Sequence, residues 1–472
     1  MNPPAHALPK TALDWLKCFG PGAILASLTI GVGELVFSTR AGALFGYRLL
    51  WFFAVVLFFK WLLVFSTARH MALTGKHPFQ LWMDLPGPRG WFPLIFLILA
   101  LVAFPIWVGF HSGTLGTLVA SLTGTTSQIG GRAHFAWGIL LLAATTALTL
   151  AGGYKTLERA QVAIVAIMLL SVVAALFMLH PNWRELFAGL VPQAVQYPDW
   201  AAAHTEIVTR PLWVETVTYV GIIGGSGYDY LAYVSYLRDK GWVGDRQWIR
   251  PILFDSLVSF AAVLLFTAVF TACGAMILRP QHQIPAGSDL LTLQTQFVTP
   301  LYPKLAVLYF LGAFLAVFGT LYGTIEVAPA TMRELAEALN PSVARTRARA
   351  IRLFSILWVC AGGLLVLALS LVFKNPPGLI AILTPANLFT GVLACGAICV
   401  LSLWSDAKHL SRADRMAFPL VALNALGGAF FLLLGLKSYW DYHAAFAWII
   451  FAGTLLAGIL AATILARKKN NS

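Results

Sequence analysis

The chain has 472 residues, of which 59% are hydrophobic and only 11% charged, with a mean hydropathy of +0.79 and a formal net charge of +13. Soluble domains carry about 25% charged residues, so this composition excludes one soluble core and points to an integral membrane protein. Apolar runs such as Trp51–Val64 and Ala444–Ala466 are helical spans, because barrel strands alternate in segments of about 10 residues.

About twelve apolar stretches are long enough to span a bilayer. In chain order they fall near 19–43, 47–68, 91–122, 134–152, 159–179, 213–237, 250–277, 303–332, 350–373, 377–404, 415–437 and 443–466. No signal peptide is read in the short polar N-terminus. With that terminus in the cytoplasm, roughly 22 Lys and Arg fall on the inner side and roughly 9 on the outer side. Lys60 is left inside a span. Arg345, Arg347, Arg349 and Arg352 form the densest basic cluster, and Arg467, Lys468 and Lys469 close the chain. The asymmetry predicts both termini inside. On a soluble protein the basic balance would suggest nucleic acid; here it fits cytoplasmic loops against anionic lipid, and no nucleic-acid partner is expected. Five dispersed cysteines exclude a disulfide scaffold. Cys395 and Cys399 share a helix face and read as packing.

The longest outer connection, about 180–212, carries Pro181, Pro192, Pro198 and Pro211. It separates two halves of five helices. The expected organisation is one transmembrane unit over 1–472. Repeat one covers about 19–179, repeat two about 213–404, and two extra helices about 415–466.

Two spans break the rule of clean hydrophobicity. The first reads Gly31-Val32-Gly33-Glu34 at its centre, and the sixth reads Gly224-Gly225-Ser226-Gly227-Tyr228-Asp229-Tyr230. Glycine costs about 1 kcal/mol inside a helix, and a carboxylate at the bilayer centre at least about 2.5 kcal/mol. Both costs fall at matching places five helices apart. An inverted repeat with discontinuous first helices, meeting at a polar cavity near the midplane, predicts this pattern. Unwound carbonyls there would be available to a cation. Close helix packing explains Gly42-x-x-x-Gly46 and Gly319-x-x-x-Gly323, but it leaves Glu34 and Asp229 without a reason.

These residues resemble the opening of Nramp-type divalent-metal transporters. The match runs through Gly20-Pro21-Gly22, Gly31-Val32-Gly33-Glu34 and Ala41-Gly42-Ala43-Leu44-Phe45-Gly46-Tyr47-Arg48-Leu49-Leu50-Trp51. Ala68-Arg69, Thr74-Gly75-Lys76, Gly153-Tyr154-Lys155-Thr156-Leu157-Glu158, Asp255, Gly319-Thr320-Leu321-Tyr322-Gly323 and Ser405-Asp406 follow in collinear order. The resemblance implies an all-α polytopic membrane protein of the LeuT type, a 5+5 inverted repeat with two extra C-terminal helices. It also implies alternating access, with spans one, two, six and seven rocking against the rest. The departures are equally specific. The family's Asp-Pro-Gly-Asn becomes Gly31 to Glu34, and its Met-Pro-His becomes Tyr228-Asp229-Tyr230. Where the family carries acids in its third helix, this chain offers His111.

The altered ligand set is rich in oxygen. Gly31, Glu34, Ser226, Tyr228, Asp229 and Tyr230 are the candidate substrate residues, with Glu34 and Asp229 as metal-ligating carboxylates. Without the thioether, such donors suit hard cations such as Mg²⁺ or Mn²⁺. Alternatives stay open: Glu34 as an acid donating to a free carbonyl, Asp229 as a helix cap, Tyr228 and Tyr230 as lining aromatics. Burial favours the neutral carboxyl and a nearby cation the charged one, so Glu34 could serve as both ligand and proton carrier. His111, Asp255 and Glu326 are further proton-relay candidates. The cation is cargo, and no cofactor is expected. Motifs of hydrolases and phosphate-binding enzymes are missing from the sequence, so an enzyme is not expected. The competing readings are a transporter of a small organic amine or amino acid, with Tyr228, Tyr230 and Trp213 around the amine, and a non-transporting membrane sensor or scaffold on the same fold. The sequence is silent on oligomeric state.

Overall fold

The computed structural model describes residues 18–31, 33–125, 132–285, 305–372, 387–442 and 445–470, with positions 9, 11, 14 and 15 near the N-terminus. The described residues are helices and connections. The long rods are α1 (Pro21–Thr29), α2 (Gly33–Phe45), α3 (Leu50–Thr74), α4 (Trp91–Leu122), α5 (Ala133–Ala151) and α6 (Tyr154–Leu179). They continue as α7 (Leu212–Ile222), α8 (Gly227–Lys240), α9 (Ile249–Cys273), α10 (Leu305–Leu339) and α11 (Ala348–Val372). The last three are α12 (Leu388–His409), α13 (Phe418–Tyr442) and α14 (Ala445–Asn470).

Nine described helices are long and apolar enough to cross a membrane, and ten if α1 and α2 count as one span bent by 43°. The other two expected spans are α7 with α8, whose polar break lowers its hydropathy, and α14. The chain is therefore a multi-pass integral membrane protein.

Glycines set how closely the rods approach. A Cβ on Gly42 of α2 would lie 2.1 Å from the Thr271 carbonyl of α9, and one on Gly319 of α10 would lie 2.4 Å from Ser27 Oγ of α1. The Gly-x-x-x-Gly stripes thus act by letting backbones touch, as membrane packing requires where lipid supplies no hydrophobic drive. Gln161 Nε2 on α6 then donates to the Gly319 carbonyl at 3.0 Å. Cys395 and Cys399 are buried on α12, and Cys395 Sγ turns to the Gly391 carbonyl at 3.2 Å.

A cavity between two broken spans

Both interruptions expected in the first and sixth spans are present. Between α7 and α8 the chain reverses through Gly224 (φ +78°) and Gly225 (φ +89°), a conformation open to glycine and costly to other residues. Serine at the helix start follows, and Ser226 N donates to Asp229 Oδ2 at 2.6 Å, so Asp229 caps α8. In the first span, Ile30 N still reaches the Ala26 carbonyl at 2.7 Å, after which the chain leaves the α-helical path and resumes as a π-helical turn over Gly33–Ser38. The space beside Gly31 belongs to Thr320 Oγ1 of α10.

The two breaks are tied to each other. Glu34 Oε1 accepts from Gly224 N at 3.0 Å, and Glu34 Oε2 accepts from Gly31 N at 3.4 Å. One carboxylate thereby accepts from a main-chain N–H of each break, Gly31 N also reaching the Thr29 carbonyl at 3.0 Å. The carbonyls left by α7 are also satisfied from within. Lys60 Nζ of α3 donates to the carbonyls of Val220, Ile223 and Gly225, each at 2.7 Å. Tyr230 Oη donates to the Gly224 carbonyl at 2.6 Å and the Gly225 carbonyl at 3.0 Å. The sixth-span carbonyls expected to be free for a cation thus have a resident partner, because a buried carbonyl without one is costly.

Beside the breaks lies a cavity of about 80 Å³. Asp229, Ser226 and Gly225 line it from the sixth span, and Thr29, Gly33 and Phe37 from the first. Thr320 and Thr324 of α10, Asn387 before α12, and Trp107 and His111 of α4 complete its polar wall. Trp107 Nε1 donates to Asn387 Oδ1 at 3.1 Å. His111 Nδ1 is buried and has no hydrogen-bond partner. Neither methionine nor cysteine is among the described lining residues.

The candidate residues separate on this map. Asp229 is partly accessible and faces the cavity; Glu34 is fully buried behind it. Tyr228 turns away, its Oη donating to the Phe96 carbonyl at 2.6 Å, and Tyr230 closes the break. Trp213 is not in the wall, so the aromatic trio considered for an organic amine does not surround this space. Asp255 lies at the base of α1, where it accepts from Gly20 N (3.0 Å), Gly22 N (2.7 Å) and Tyr233 Oη (2.9 Å). Glu326 is held in a two-pronged pair by Arg352, at 3.0 Å on each oxygen. Arg352 therefore does more than mark a loop's side of the membrane. Among the described residues no group of three or more His, Cys, Asp or Glu is arranged to hold a metal. Any cation here would lean on Asp229, hydroxyls, amide oxygen and water.

Sequence reasoning passed over two features. Lys60 stood out only as a charge inside a span. Arg40 of α2 and Glu215 of α7 form a buried pair at 2.6 Å, with Arg210 (3.2 Å) and Tyr219 Oη (2.7 Å) on the same carboxylate. Opposite charges inside spans one and six were the available signal. At the far end of the sixth span, Arg238 reaches Glu334 (3.0 Å) and Glu337 (2.8 Å) of α10, and Lys240 pairs with Glu158 of α6.

A bundle with two interrupted spans meeting at a small polar cavity has the architecture of the LeuT type. The profile described as "Natural resistance-associated macrophage protein-like" (Nramp) matches residues 22–441. The chain belongs to the Nramp family. It is 26% identical over 302 residues to the divalent metal cation transporter MntH of Listeria innocua, covering 60% of this chain and 61% of that protein. Against MntH of Brucella suis the identity is 26% over 271 residues, 54% of this chain and 52% of the relative. The match thus spans less than two thirds of these relatives' length. Among solved structures, the manganese transporter of Eremococcus coleocola superposes with a TM-score of 0.67 at 17% identity, over 99% of this chain and 97% of that one. MhsT in complex with L-phenylalanine gives 0.56 at 15% identity, over 89% and 98% of the chains. The fold is thereby the LeuT type expected.

Proposed function

We propose that this protein is a secondary active transporter that moves a small cation, a divalent metal of hard character such as Mn²⁺ or Mg²⁺, coupled to protons by alternating access. The observation that carries the reading is Asp229: a carboxylate at the break of the sixth span, facing a cavity walled by hydroxyls and an amide. Such donors favour hard cations. Family membership and relatives named as divalent metal cation transporters support the same class. Ser226 lines the cavity beside Asp229, and Glu34 and Gly31 act behind it by holding the two breaks in register. Tyr228 and Tyr230 do so from the helix that carries it. His111, with its free Nδ1 on the cavity wall, is the favoured proton-handling group. Asp255 and Glu326 serve the scaffold.

The protein works in the plasma (inner) membrane with both termini in the cytoplasm, as the basic residues of its loops indicate. Two repeats, about 19–179 and 213–404, form the transport unit, and the last two helices, about 415–466, flank it. Spans one, two, six and seven rock against the others. The metal enters as cargo, and protons and lipid are the other partners.

The test is Mn²⁺ uptake into proteoliposomes under an inward proton gradient, with Mg²⁺ and Ca²⁺ as competitors. Saturable uptake that excess Mg²⁺ suppresses is expected. Uptake that ignores Mg²⁺ would remove the hard-ion preference, and absence of uptake would remove the metal.

A further inference from the structure

Lys60 is a feature of the site that the proposed function leaves unused. It is fully buried at the middle of α3. An ammonium has three donors, and all three go to main-chain carbonyls of the sixth span at 2.7 Å, none to a carboxylate. A positive charge at the centre of converging carbonyls is how a protein holds an unhydrated cation. Two of the same peptides give their N–H groups, Gly224 N and Ser226 N, to Glu34 and Asp229. The break is therefore an occupied cation site whose occupant is covalently attached to the chain.

We infer that Lys60 is a resident cation: it fills the ion position in the break of the sixth span, bars cargo from those carbonyls, and leaves the Asp229 side of the cavity as the one place for a mobile ion. The inference rests on the reading of that cavity as the cargo site. Two consequences follow. The break keeps its shape when no ion is bound, because its carbonyls never lose their partner. The local charge also sets selectivity. When Glu34 and Asp229 are both ionised, a charged Lys60 leaves one net negative charge for a cation to meet, where two would remain without the lysine. Lys60 thus weakens the hold on a divalent ion and favours its release.

The test removes the tether. Purified Lys60→Ala and Lys60→Met are melted beside wild type in choline, Na⁺ or K⁺ chloride at equal ionic strength. The Ala variant, which opens space for an ion, is expected to melt below wild type in choline. Na⁺ or K⁺ should restore at least half of that loss, while wild type responds alike to all three salts. A folded Ala variant that is indifferent to Na⁺ and K⁺, or a wild type that gains equally, overturns the inference. Should neither variant fold, wild type gives the answer by reductive methylation and mass spectrometry. Lys60 that stays unlabelled as Mn²⁺ is raised supports a permanent occupant. Labelling that grows with Mn²⁺ means cargo displaces it, and overturns the inference. These readouts are independent of flux. A wild type that carries no Mn²⁺ defeats the proposed function and leaves the melting result standing.

Discussion

The carboxylate of Glu34 accepts a hydrogen bond from the main-chain N–H of Gly224 at 3.0 Å, so the break of the first span and the break of the sixth share one side chain. Glu34 also accepts from Gly31 N at 3.4 Å. Glu34→Ala leaves Gly224 N unpartnered in a buried place, while Gly31 N keeps the Thr29 carbonyl at 3.0 Å. A stranded donor costs about 1–3 kcal/mol, and a fall in the melting temperature of the purified protein is expected. Glu34→Gln keeps one acceptor oxygen and should melt closer to wild type. Its Mn²⁺ uptake should fall at least tenfold, because the two breaks lose their register. Wild-type uptake by Glu34→Gln would remove Glu34 from the account.

Gly225 is the hinge of the sixth span. Its φ is +89°, and an added Cβ would lie 2.5 Å from Thr29 Cγ2 and 3.0 Å from Asp229 Oδ2. Backbone strain alone costs about 1–3 kcal/mol, and the contacts push on the capping carboxylate. Gly225→Ala should lower stability and abolish uptake together. Gly241 is the control: its φ is +83°, but nothing lies within 4 Å of an added Cβ. Gly241→Ala should cost stability and keep uptake.

Arg40 and Glu215 hold the other halves of the two broken spans together, with side chains 7% and 1% exposed. Removing one member of a buried pair strands the other, at about 3–5 kcal/mol, whereas replacing both is far milder. Glu215→Met, which leaves the Arg40 charge buried without its carboxylate, should therefore be strongly destabilising, whereas after Arg40→Met the carboxylate keeps Arg210 and Tyr219. The double variant Arg40→Met with Glu215→Met should regain at least half of the lost melting temperature, since Arg210 can turn to water. Equal melting of the single and double variants would show that the pair carries no such energy.

Asp255 has main-chain and tyrosine donors on both oxygens. That arrangement anchors the start of α1 and leaves little for proton traffic. Asp255→Ala should destabilise by about 1–3 kcal/mol for each stranded donor, measured by thermal melting. Asp255→Asn should leave the proton dependence of uptake unchanged. A changed proton-to-metal ratio in the Asn variant would make Asp255 a relay.

Much of this was open to reading in the sequence. Composition and apolar run length dictate a bundle of spanning helices. The Gly-x-Gly pairs beside Glu34 and Asp229 mark the two breaks, because glycine and carboxylate are both expensive there. The face each residue takes was less legible. Successive helical residues turn by about 100°, so Tyr228, Asp229 and Tyr230 cannot share one cavity; Ser226 and Asp229, three apart, do. The same geometry puts Gly33 and Phe37 on the wall and Glu34 behind it. Lys60 and the carbonyls it serves lie some 160 residues apart, and only folding brings them together. Arg40 and Glu215 met in the same way, and no local pattern announces either contact.

The most direct measurement sets wild type beside Asp229→Asn in proteoliposomes, with Mn²⁺ uptake and thermal melting read on the same preparations. Asparagine can still accept from Ser226 N and cap α8, but it brings no charge to the cavity. The account predicts near-unchanged melting and at least a tenfold loss of saturable Mn²⁺ uptake. Full uptake by a well-folded Asp229→Asn would contradict it, and would reduce Asp229 to the helix cap its hydrogen bond already describes.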